Sequence, residues 1–140
     1  MAFNMIGPAL ALGLSAIGAS IGCACAGVTS HGVMSRTEEG HGKLIGISAM
    51  PASQLIYGFV LMLLLKNNIE IGAVTPLSAA AIGASSGTAI MIAAIFQGLC
   101  CSSAIQATAK QPNVFGKTFV AIGIVESFAL FAFVFALLLM

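Results

Sequence analysis

The sequence predicts an all-α membrane protein: four transmembrane helices, arranged as two tandemly duplicated helical hairpins (1–73 and 74–140), that assemble into a homo-oligomeric ring. Three observations carry this expectation. The 140 residues are 59% hydrophobic and 6% charged, with a mean hydropathy of +1.10, far from the make-up of a soluble domain. Four apolar segments, 5–35, 44–65, 77–109 and 118–140, each reach the roughly 20 residues that cross a bilayer as a helix. The chain also repeats itself: "GKLIGISAMPASQLIYGFVLMLLL" from Gly42 lies over "GKTFVAIGIVESFALFAFVFALLL" from Gly116 at a constant offset of 74.

The first segment carries small residues at steps of three and four, Ala9, Gly13, Ala16, Ser20, Ala24 and Gly27, and Gly18 with Gly22 adds a GxxxG. Such a stripe permits close approach of backbones. The third segment opens in the same way with "SAAAIGASSGTA", whereas the second and fourth carry the Leu, Phe, Val and Met expected toward lipid. Two slim helices and two bulky ones suggest an inner and an outer layer, which a ring of copies closes. The polar breaks are "RTEEGHGK" (36–43), "KNNIEIGAVTP" (66–76) and "KQPNVFGK" (110–117). Arg36, Lys43, Lys110 and Lys117 flank the first and third breaks and only Lys66 lies at the second. The positive-inside rule therefore places those two loops in the cytoplasm and both termini outside. With no Lys or Arg before Arg36, a cleaved signal peptide is not expected.

One ionisable side chain, Glu126, interrupts the last segment, "FVAIGIVESFALFAFVFALLLM". A charged acid at the bilayer centre costs about 2.5–3.5 kcal/mol on the lenient insertion scale, so an intramembrane carboxylate points to function. In the repeat register Ala52 occupies the corresponding place, so four helices share one acid. In "AMPASQLIYGF", Met50, Ser53, Gln54 and Tyr57 follow helical spacing on one face. Pro51 lies within that helix and deprives the Ile47 carbonyl of its usual partner. Counting about 1.5 Å per residue from the cytoplasmic lysines puts Glu126, Ser53 and Gln54 roughly 13–17 Å deep and Gln97 roughly 20 Å deep. A carboxylate, two amide oxygens, a hydroxyl and a backbone carbonyl form a hard-oxygen set suited to a small hard cation, with Na⁺ the expected ligand. A proton needs only the acid and one or two hydrogen-bond partners. Taken singly, Ser53, Gln54, Tyr57 and Gln97 would each serve equally well to tie helices together.

At these residues, "PASQ", "FQG" around Gln97 and "VES" around Glu126, the sequence resembles the membrane rotor subunit (the proteolipid, or subunit K) of vacuolar-type rotary ATPases, above all the bacterial sodium-translocating forms. The resemblance covers essentially the whole chain. It implies a non-catalytic subunit of the bacterial cytoplasmic membrane, in a ring of about ten copies that turns against a stator membrane subunit and seats central-stalk subunits on its cytoplasmic loops. It also implies that Glu126 is the ion-binding carboxylate, that Ser53, Gln54 and Gln97 give side-chain oxygens and Met50 its main-chain carbonyl, and that Tyr57 hydrogen-bonds Glu126. Ser53 and Met50 stand where Thr and Leu are more usual in the sodium-type pattern. The same rotor role with H⁺ as coupling ion, and a small multidrug/proton antiporter, are the alternatives; in the antiporters the acid lies in the first helix of an unduplicated chain. A structural pore of small-residue helices would leave Gln54, Gln97 and Glu126 unexplained.

Other signals point elsewhere. "QPNVFGKT" has Gln111 where a phosphate-binding loop needs Gly, and no strand precedes it. Neighbouring cysteines in a helix, Cys23 with Cys25 and Cys100 with Cys101, diverge and read as packing residues. His31 and the loop residue His41 lack convergent partners, and Glu70 reads as solvated near Lys66. No basic-aromatic surface suited to nucleic acid is present, and no organic cofactor is expected.

Overall fold

The computed structural model describes residues 2–140. A 3-10 turn, Ala2–Met5, leads into α1 (Ile6–Met34). Next come α2 (His41–Ser48), a second 3-10 turn (Met50–Ala52) and α3 (Ser53–Glu70), which together form one interrupted rod. The chain continues with α4 (Pro76–Lys110), a third 3-10 turn (Pro112–Val114) and α5 (Phe115–Leu138). Four spans result, Phe3–Met34, His41–Glu70, Pro76–Lys110 and Pro112–Leu138, each long and apolar enough to cross a membrane. The fold is that of an all-α integral membrane protein.

The helices run further than the polar breaks suggested. "KNNIE" continues α3, because its polar groups find partners along the helix: Lys66 pairs with Glu70 at 3.8 Å and Asn68 donates to the Leu64 carbonyl at 2.9 Å. Gly72, at φ 77°, makes the turn that follows, a left-handed conformation that glycine adopts without penalty. Thr75 then caps α4 by accepting the Ser78 N–H at 3.2 Å, with Pro76 in the first turn, where its missing N–H is of no consequence. At the other end, Pro112 pushes Gln111 out of helical geometry (φ −137°, ψ 88°), so α4 stops at Lys110. His41, expected in a loop, opens α2 with its Nε2 2.7 Å from the Thr37 carbonyl.

The closest pairing is between α1 and α4, and it is made by the face that carries the GxxxG. The buried small residues of α1 are Gly7, Ala11, Ser15, Gly18, Ala19, Gly22, Ala26 and Ser30. Side chains built on Gly7, Gly18 and Gly22 would run into the α4 backbone at Ala79, Met91 and Ala94, and one on Gly83 would run into Gly7. Ala9, Gly13, Ser20 and Ala24 are exposed, Ala16 and Gly27 half-buried, and Gly13 and Gly27 have open space around them. Both stripes are small enough for close packing, and among the described residues the one containing the GxxxG is the one that meets α4. Gly58 of α3 fits against Ser15 and the Ala11 carbonyl in the same manner. α5 is the most exposed span, with Phe128, Phe131 and Phe135 projecting outward.

Two apolar clusters form the core. One centres on Leu61, Leu65, Ile82 and Ile90, the other on Leu44, Ile47, Ile105 and Ile122. In the interval between them, α3, α4 and α5 each place a polar residue.

Candidate functional site: an intramembrane carboxylate

The chain prepares this interval at Pro51. Without an N–H the proline interrupts the helical ladder, and the backbone tightens into the 3-10 turn Met50–Ala52 before α3 begins. The Ile47 carbonyl, expected to be left free, is instead bonded with those of Ile45 and Gly46 by backbone N–H groups at the end of α2. The carbonyl that faces the site is that of Met50, 3.0 Å from the Ser53 hydroxyl.

Glu126, half-buried on α5, receives hydrogen bonds from two other helices. From α3, the Ser53 hydroxyl lies 2.9 Å from Oε1 and the Tyr57 hydroxyl donates to the same oxygen at 3.3 Å. From α4, Gln97 Nε2 donates to Oε2 at 3.3 Å. Gln97 Oε1 in turn accepts from Gln54 Nε2 at 2.9 Å. Gln54 and Gln97 are both 0% exposed, a costly position for amides unless they are paired. Yet Gln54 Oε1 has no hydrogen-bond partner among the described residues.

The orientation of both amides follows from the acid. Gln97 turns its NH₂ to Glu126 and its carbonyl to Gln54, the arrangement that suits a carboxylate acting only as acceptor. Gln54 must then present its NH₂ to Gln97, which leaves its carbonyl oxygen pointing at no donor. The Ser53 hydroxyl has one proton for two acceptors, Met50 O and Glu126 Oε1.

All six residues singled out from the sequence lie in this one neighbourhood, and Gln97, which counted out deeper, is level with the rest. The direct Gln54–Gln97 bond was not legible from spacing, since it depends on the rotation of α4 about its own axis. Gly22 was also missed as a neighbour of the site: a side chain there would come within 2.9 Å of Pro51 Cβ. The GxxxG at Gly18 and Gly22 was the available signal, and it said only that something approaches closely.

Four helices long and apolar enough to cross a membrane, three of them meeting at a hydrogen-bonded carboxylate, define the class: a small integral membrane protein. The chain belongs to the ATP synthase C-subunit family, whose profile matches residues 6–65 and 71–139. Among curated relatives it is 30% identical over 135 residues to the "A-type ATP synthase subunit K" of Methanocaldococcus jannaschii, covering 96% of this chain and 60% of that protein's length. It is 29% identical over 143 residues to the "V-type sodium ATPase subunit K" of Enterococcus hirae, covering 99% of this chain and 90% of the relative. Proteins of this family form oligomeric rings within rotary ATPase complexes.

Proposed function

We propose that this chain is the ion-carrying subunit of the rotor ring of a V/A-type ATPase or ATP synthase and that it carries Na⁺. Glu126, Gln54, Ser53, Gln97 and the Met50 carbonyl bind the ion, and Tyr57 holds Glu126 in place. The observation that carries this reading is the unpartnered Gln54 oxygen, buried on the same level as a carboxylate and a proton-sharing hydroxyl. A hard cation of small radius accepts what the protein leaves over: lone pairs of oxygen in flexible geometry. A proton would need only Glu126 and one or two hydrogen-bond partners, fewer oxygens than gather here. The relative named as a sodium ATPase subunit supports the same choice of ion.

The physical logic is one of charge and solvation. Glu126 is half-buried on the most exposed helix, so in a ring it faces the bilayer. Ionised and bare, it would be penalised for every step through lipid; neutralised by a bound cation it passes. A stator subunit that offers a positive partner and water access would let Glu126 give up its ion on one side and take another on the other. Each charge moved exchanges about 2.3 kcal/mol per 100 mV of membrane potential, so rotation and ion flow drive one another in either direction. The two matches to the family profile support the division into hairpins 1–73 and 74–140, the second alone carrying the acid. About ten copies close the ring. Both termini lie outside a bacterial cytoplasmic membrane, and the cytoplasmic loops seat the central stalk.

Carbodiimide labelling tests this directly, since the reagent attacks a protonated, uncomplexed carboxyl. In membranes containing the full chain, labelling of Glu126 is expected to be blocked by Na⁺ at alkaline pH and to recover as pH falls. Labelling that Na⁺ never blocks would move the assignment to H⁺ and leave Gln54 and Gln97 with structural roles.

A further inference from the structure

Gly22 touches none of the oxygens around Glu126, yet it sits where three spans meet. A methyl group built on it would strike the Ala94 carbonyl of α4 and come within 2.9 Å of Pro51 Cβ. A methyl built on Gly98 would strike the backbone of Gly22 itself. Pro51 is fully buried at the centre of the 3-10 turn that supplies the Met50 carbonyl and leads directly into Ser53 and Gln54. Gly98 follows Gln97 in α4. The segments carrying ligands from two different helices are therefore registered against one bare Cα of a third.

We infer that Gly22 is a positioning residue of the ion site. Its missing side chain lets the Pro51 ring and Gly98 close on the same point of α1, and this sets the spacing between Met50, Ser53 and Gln54 on one side and Gln97 on the other. The inference rests on reading the cluster as a Na⁺ site. Gly18, one turn away on the same face, is the natural contrast, because a side chain there would meet the backbone of Met91 in α4 and is not crowded by Pro51. Substitution at Gly18 strains the helix pair; substitution at Gly22 strains the pair and displaces the turn. Na⁺ needs its oxygens together, whereas a proton needs Glu126 alone, so displacement of the turn is selective against Na⁺.

The test compares Gly22→Ala, Gly18→Ala and Pro51→Ala in full-length protein in membranes. Two quantities are read from carbodiimide labelling of Glu126: the Na⁺ concentration giving half-protection at alkaline pH, and the pH profile of labelling without Na⁺. Gly22→Ala and Pro51→Ala are each expected to raise the half-protecting Na⁺ concentration about tenfold, the scale seen when outer supports of a metal site are removed, with the pH profile unmoved. Gly18→Ala is expected to leave both readings where they are. Pro51→Ala leaves the α1–α4 contact intact and so carries the test should Gly22→Ala fail to insert. Half-protection unchanged in both variants, or raised equally by Gly18→Ala, overturns the inference. Absence of Na⁺ protection in the unsubstituted chain would remove the underlying Na⁺ reading first, before any variant is compared.

Discussion

Gln54 donates its side-chain NH₂ to Gln97 at 2.9 Å, and this single bond leaves the Gln54 carbonyl oxygen buried without a partner. Gln54→Leu keeps most of the volume and deletes that oxygen. Radiolabelled Na⁺ binding to membranes is expected to weaken about 10- to 100-fold. Labelling of Glu126 by carbodiimide without Na⁺ should still rise on acidification as before. Undiminished Na⁺ binding in this variant would show that Gln54 is no ligand.

The carboxylate admits little change. Glu126→Gln removes the charge and is expected to abolish both labelling and coupled transport. Glu126→Asp keeps the charge but draws it back by one methylene from Ser53, Tyr57 and Gln97, and ATP-driven Na⁺ uptake into vesicles is expected to fall about 100-fold, the scale of a misplacement of about 1 Å.

Tyr57 acts at longer range. Its hydroxyl reaches Glu126 at 3.3 Å, while its ring lies against Phe133 at a centroid distance of 6.0 Å. Tyr57→Phe keeps the ring contact and loses one hydrogen bond, a net effect of about 0.5–1.5 kcal/mol. Ion release measured by isotope exchange should quicken about two- to tenfold, with the fold and assembly unchanged.

Packing predictions separate the two small-residue stripes of α1. Gly83→Ala places a methyl against the Gly7 backbone and is expected to cost about 1–3 kcal/mol, read as a lower melting temperature in detergent. Gly13→Ala meets nothing within 4 Å among the described residues and should leave a single copy unaffected. A loss of oligomer size in Gly13→Ala alone would mark that stripe as a contact between copies.

Much of this protein is legible in its sequence because a bilayer restricts the answers. Four apolar runs leave no choice but four helices, since the backbone must satisfy itself in lipid. Glu126 stood out because charge is so expensive there, and Ser53, Gln54 and Tyr57 followed from helical spacing around it. What escaped was rotation. Helical spacing groups Ala9, Gly13 and Ser20 as readily as it groups Gly7, Gly18 and Gly22, and nothing in one helix says which face its neighbour will choose. The fate of the Ile47 carbonyl escaped as well: a missing donor is visible in the letter P, whereas the tightening into a 3-10 turn that follows it is not.

The backbone contact between α1 and α4 also has a mechanical consequence. Where Gly22 meets Gly98 and Gly7 meets Gly83, no layer of side chains lies between the helices to slide or yield. The pair forms one close-packed stave, while α5 is held by longer side chains and is largely uncovered. A wheel assembled from such staves would keep its hub rigid under torque, with each rim carboxylate tied to it by side chains alone.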